Sequence, residues 1–220
     1  MRDGVVIESV MEAVERAFAR TAADLAPWPD PHPDRNPADD EYSRVTDAGR
    51  YRIIGARADA WADALVGLGL ASIGGTTVEW IRPPRTDLSR TVTIVPNVES
   101  ALRVVIDRHR LADVADAGLT LGAGWPADVI AWFPHCGCDA CDSGSQDELD
   151  LLDQHLLAVV TGTFRRLRRG DRVITVVGDS RSSSNIDRRR ADRVLADPRG
   201  WEDISGTSWL PAAAGTAGEP

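Results

Sequence analysis

Residues 128–152 read Asp128-Val-Ile-Ala-Trp-Phe133-Pro-His135-Cys136-Gly-Cys138-Asp139-Ala-Cys141-Asp142-Ser-Gly-Ser145-Gln-Asp-Glu148-Leu149-Asp-Leu-Leu152. Val129, Ile130, Trp132 and Phe133 precede a proline, which predicts a strand over 128–133. Leu149, Leu152, Leu156, Val160 and Thr163 then recur at helical spacing, which predicts a helix over 146–167 with Ser145 and Glu148 in capping-box positions. The loop between them holds all three cysteines of the chain. A loop that leaves a strand and feeds a helix is a favoured place for a site, and the positive end of the helix favours thiolates near it.

Working outward, residues 5–25 place Ile7, Val10, Met11, Val14, Phe18 and Leu25 on one helical face, with Glu8, Glu12, Arg16 and Arg20 opposite. Five prolines between residues 27 and 37 exclude a helix and predict an extended connection, continued by a polar, mobile stretch to residue 49. A second helix fits residues 52–68, with Ile54, Ala58, Trp61, Leu65 and Leu68 aligned and Gly67 and Gly69 at its end. Alternating, β-branched runs at 76–82, 90–95 and 101–107, bounded by Pro83-Pro84, Asp87 and Pro96-Asn97, predict an antiparallel meander, and 172–177 a further strand. Residues 111–117 read as a short helix. Past Gly178 the pattern fades into a Ser- and Arg-rich coil that Trp201 and Trp209 pin to the body, and the last ten residues are expected to fray.

The expected fold class is therefore α+β: an antiparallel or mixed sheet of about five strands covered by three main helices, in a single domain. Residues 1–50 form a helix and Pro-rich arm packed on the body, residues 51–179 the core with the Cys loop, and residues 180–220 a tail.

The 220 residues carry a net charge of -9, although residues 165–199 hold 11 Arg against 5 acids. Acidity at large speaks against nucleic acid as a partner, and the arginines at 165, 166, 168 and 169 read as cations closing a helix. No apolar stretch reaches the roughly 20 residues of a membrane span, and the N-terminus lacks the order of a signal peptide, so the expectation is a cytoplasmic protein without a membrane partner. A protein partner remains the class of macromolecule such an acidic chain would serve. His32 and His109 read as solvated. Val177-Gly178-Asp179-Ser180 has no base to pair with its serine and reads as a turn. Trp125 and Trp132 flank the approach to the Cys loop and read as core residues ahead of a pocket wall.

In a reducing compartment, an odd number of thiols in one short loop points to metal binding before disulfides. Cys136, Cys138 and Cys141 supply three soft ligands, which favours zinc. The fourth ligand is left open among His135, Asp139, Asp142 and His155. A closed sphere makes the site structural. An open one makes the protein a zinc-dependent, hydrolase-type enzyme with Glu148, Asp139 or Asp142 as base. A metal-free acidic interaction protein is the third reading.

The run from Cys136 to Asp142, with Trp132-Phe-Pro before it and an acidic helix after it, resembles an uncharacterised actinobacterial domain family of unknown function over residues 51–179. The resemblance singles out Cys136, Cys138, Asp139, Cys141 and Asp142, and implies no activity or cofactor.

Overall fold

Two antiparallel sheets, not one, organise the chain in the computed structural model, which describes residues 6–84 and 88–211. The first has five strands in the order β1 (Ala71–Ile73), β2 (Leu88–Pro96), β3 (Val104–Leu111), β4 (Val114–Gly124) and β5 (Ala127–Phe133). The second orders β8 (Ser180–Ser184), β7 (Arg172–Val177), β6 (Phe164–Arg169) and β9 (Glu202–Ser205). Helices α1 (Ile7–Thr21), α2 (Arg52–Gly67) and α3 (Ser145–Thr161) share the main core with the first sheet, and α4 (Arg188–Ala196) packs on the second. The architecture is an α+β single domain.

The core is built where apolar period and burial agree. Val10 and Val14 of α1, Ile54, Trp61 and Leu65 of α2, and Leu152, Leu156 and Val160 of α3 meet Ile94, Ile106, Leu119 and Leu121 of the meander, each essentially inaccessible to water. Burying each such side chain contributes about 1.5–3 kcal/mol. One charged side chain ties the three helices together: Arg57, on α2, donates to Asp153 of α3 at 2.6 Å and to Glu15 of α1 at 2.6 Å, while Trp61 Nε1 donates to Asp153 at 2.7 Å. Its guanidinium is 5% exposed, so the two carboxylates are needed to offset its desolvation.

Several expectations are corrected. Residues 111–117 are not a helix. A two-residue turn at Ala112-Asp113 joins β3 to β4 and pairs the start of β4 back onto the end of β3, so hairpin pairing outweighs the helical preference of an Ala-rich segment. The strand expected at 76–82 is reduced to a bridge between Trp80 and Ala127, and the edge strand lies earlier, at Ala71–Ile73. The helix expected to run to residue 167 stops at Thr161. Gly162 adopts φ 73°, and the arginines beyond it lie on β6, where they have no helix end to neutralise. Ser145 is the first residue of α3, after Gly144, and its hydroxyl bonds Trp28 rather than forming a capping box. The segment after Gly178 is ordered as β8, α4 and β9. Trp209 is 1% exposed with its backbone N–H on the Val160 carbonyl, and Trp201 packs with Leu167, Ile174 and Ala191. The Asp87 boundary and the fraying end beyond residue 211 lie outside the described residues.

Gly162 is where the helix must give way to a strand. A Cβ there would meet the Ser208 backbone nitrogen at 2.7 Å in a conformation that already strains an L residue. Gly162→Ala is therefore expected to cost well over the about 1 kcal/mol of backbone strain alone. Gly170→Ala, with φ 62° but open space around it, should cost only that strain. Urea denaturation of the two variants checks the difference.

Candidate functional site

The Cys loop follows β5 and returns to α3, and its curl depends on Gly137 at φ 85° and Gly144 at φ 92°. At Gly144 the turn also brings the chain against the backbone of Pro29 and Asp30, where a Cβ would lie 2.7 Å from the Asp30 nitrogen. A short 3₁₀ turn, Asp139–Cys141, sits between the glycines. In this arrangement the sulfurs of Cys136, Cys138 and Cys141 lie within 4.8 Å of one another, Cys138 buried and the other two exposed. Cys136 and Cys138 are 3.2 Å apart. The backbone N–H of Cys138, and then its thiol, lower the pKa of Cys136. Cys141 is pushed up to about 12, first by hydrogen bonding with Cys138, then by burial and the neighbouring thiols. Cys136 therefore gives up its proton more readily than Cys141.

Tetrahedral thiolates at about 2.3 Å from zinc are about 3.8 Å from one another, so the trio needs to adjust by about 1 Å or less to hold an ion. Among the described residues, no His, Asp or Glu joins the three thiols as a fourth member of the cluster. The acids of the loop are engaged elsewhere. Asp139 accepts from Thr46 N–H at 2.8 Å, Thr46 Oγ1 at 2.5 Å and Arg44 Nε at 2.8 Å, and its own N–H donates to the Arg44 carbonyl. Burial raises its pKa, but these donors win and hold it at about 2. Asp142, whose side chain is fully inaccessible, pairs with Arg50 at 2.7 Å and accepts from Trp28 Nε1 at 2.9 Å and from the Gly144 N–H at 2.9 Å. His135 is exposed, and His155 places Nδ1 2.8 Å from the Leu151 carbonyl with its ring edge-on to Phe133.

The contributors that sequence reasoning missed come from the Pro-rich arm and the stretch after it, which are packed on the loop rather than free. Trp28 exchanges hydrogen bonds with Ser145, stands edge-on to Tyr51 at 5.4 Å and lies under the Arg50 guanidinium. His32 is not solvated: its ring lies between Glu41, 3.4 Å from Nε2, and the Asp142 carbonyl, 3.4 Å from Nδ1. Glu41 in turn takes both arms of Arg35. A tryptophan set among prolines was the one signal in the sequence that this stretch has a partner. His109 is also buried, its ring against Gly118. Trp125 and Trp132 are each 45% exposed, so neither is a core residue.

Beside the loop, a cavity of about 770 Å³ runs between α1 and α3, lined by Met11, Ser143, Glu148 and Asp153 among others. Burial, then the charges of Asp142 and Asp147, raise the Glu148 carboxyl to about 7, and one of its oxygens is buried without a hydrogen-bond partner.

A family model described as a family of unknown function (DUF6226) matches residues 14–212, and the chain belongs to that family. The match takes in the arm and most of the C-terminal segment, well beyond residues 51–179. No curated protein and no solved structure matches the chain. No helix among the described residues is long and apolar enough to cross a membrane.

Two outcomes are expected. Asp142→Ala leaves Arg50 without its closest carboxylate and should destabilise the protein by about 3–5 kcal/mol, with increased hydrogen exchange in the arm around Trp28. Glu148 keeps its proton in the folded state between the ordinary glutamate value and about 7, whereas the unfolded chain has already lost it, so stability falls as pH rises through that window. Glu148→Gln should therefore stabilise the protein by about 1–3 kcal/mol at pH 8 and have little effect near pH 4, as read by denaturant midpoints at the two pH values.

Proposed function

We propose that this member of a family without assigned activity is a zinc-binding protein, and that Cys136, Cys138 and Cys141 hold the ion to fix the loop between β5 and α3. The observation that carries this reading is the convergence of three thiols within 4.8 Å while the carboxylates beside them are committed to arginines, a threonine and a tryptophan. A soft, thiolate-rich donor set favours zinc over hard cations. With three protein ligands, the fourth position falls to water or to a group from outside the chain. Because the same loop anchors the arm through Asp139 and Asp142, an ion at the thiols would strengthen the seat of residues 28–50 as well. The proposed setting is the reducing cytoplasm, where the thiols stay available.

A second reading, a zinc-dependent hydrolase, draws on that free fourth position and on Glu148, whose raised carboxyl and unpartnered oxygen suit a base working near neutral pH. It needs the cavity between α1 and α3 to admit a substrate to the thiols, and none of the three cysteines lines that cavity.

Protein prepared without chelator under reducing conditions is expected to carry about one zinc per chain by elemental analysis. Less than about a tenth of that after reconstitution removes the proposal. Cys138→Ser takes away the buried thiol shared by both spacings. For a structural ion, it should lose the metal and lower the melting temperature by about 5 °C or more, with new hydrogen exchange in the loop and the first turns of α3. A variant that loses the metal with its melting temperature unchanged argues for the enzyme instead.

A further inference from the structure

A second cavity, of about 370 Å³, opens on the far side of β5, between that strand, β6 and the Pro83-Pro84 corner. Among the described residues, three guanidiniums line it, those of Arg82, Arg166 and Arg168, against one carboxylate, Asp128. Asp128 is 2% exposed and already serves two of them, Arg168 at 2.7 Å and Arg166 at 3.4 Å. Arg166 also donates to the Val129 carbonyl. The side chains of Arg166 and Arg168 are each only 13% exposed; the Nε of Arg168 is buried with no hydrogen-bond partner, and that of Arg166 faces Asp128 only across the 3.4 Å ion pair, without a hydrogen bond. Arg82 adds a third positive charge close enough to oppose that of Arg166. The other acid whose charge reaches Asp128 is Glu202, opposite Arg168 in the β9 register and exposed.

Buried guanidiniums in excess of their carboxylate are costly unless an anion completes the set. Their planar donor forks suit phosphate oxygens in particular, and a phosphoryl group carries close to the charge left uncompensated. The remaining wall supplies the other half of a ligand. Trp132, 45% exposed, lines the same cavity and offers an indole to a planar ring. The volume is at the small end of ligand cavities, which suits a single small molecule and not a polymer.

We propose that this cavity is a ligand site, separate from the cysteines, that takes a small phosphorylated molecule bearing a planar ring, of the mononucleotide type. Arg82, Arg166 and Arg168 receive the phosphate, and Trp132 receives the ring. Asp128 holds Arg166 and Arg168 in place and is not itself a contact to the ligand.

The test is calorimetric titration of the full chain with AMP and, separately, with inorganic phosphate. Two variants at exposed side chains, Arg82→Ser and Trp132→Ala, are compared after circular dichroism confirms an unchanged fold. AMP is expected to bind saturably, more tightly than phosphate. Arg82→Ser should weaken both by about tenfold or more, because each loses a charge-assisted contact. Trp132→Ala should weaken AMP by about tenfold and leave phosphate unchanged, the loss expected for one stacked base. No saturable binding of AMP up to about 1 mM, an affinity of at most about -4 kcal/mol, overturns the site. AMP binding that Arg82→Ser leaves intact places the ligand elsewhere and also overturns it. Equal binding of AMP and phosphate, untouched by Trp132→Ala, overturns the assignment of a ring-bearing ligand.

Discussion

Two carboxylates, Asp139 opening a three-residue turn and Asp142 directly after it, hold residues 28–50 against the centre of the chain. Asp139 and Asp142 are both buried, and a buried carboxylate is tolerated only where donors surround it. Here every one of those donors except the Gly144 N–H is supplied from residues 28–50: Trp28, Arg44, Thr46 and Arg50. The arrangement is reciprocal. The acids are desolvated because the arm covers them, and the arm has a fixed course because the acids are there to receive it. The cysteines inherit their positions from this clasp, since Cys138 precedes Asp139 directly and Cys141 lies between the two acids.

This division of labour explains how a Cys-Gly-Cys-Asp-Ala-Cys-Asp sequence can look like a seven-residue ligand set and behave as two interleaved sets. The thiols point to one another. The carboxylates point to arginines. Hard oxygen donors drawn off into ion pairs leave a purely sulfur environment, which is a narrower chemical invitation than the mixed set would have been.

The parts of the fold that were legible in the sequence are those whose burial is periodic. The faces of α1 and α2, and the apolar runs of β5 and β7, are written in the order of their own residues. β4 and β8 are not. β4 opens with Val-Ala-Asp-Ala, a segment with no local preference for extension, and becomes a strand because the turn folds it back onto β3, with β5 joining on the other edge only from Leu119 onward. β8 is Ser-Arg-Ser-Ser-Ser, exposed at every position, and has only its pairing with β7 to define it. The end of α3 could have been found, since Gly162 interrupts the run, but arginines after a helix resemble a cationic terminus as readily as a strand. For the candidate site the cysteines were plain from spacing alone. The residues that seat them were not, because an Arg and an Asp about 95 positions apart carry no mutual signal in a single sequence.

The span of the clasp also bears on how the chain is made. Trp28 meets Asp142 across 114 residues, so at about 5–20 residues per second a ribosome spends roughly 6–23 s between synthesising one and the other. Through that interval the arm lacks the two carboxylates that seat it. A stretch of prolines, aspartates and arginines with one indole is well suited to such a wait: it has little apolar surface to aggregate and few backbone donors to mispair with other strands. The composition that made the arm look like a linker is thus also what keeps it harmless until its partners emerge.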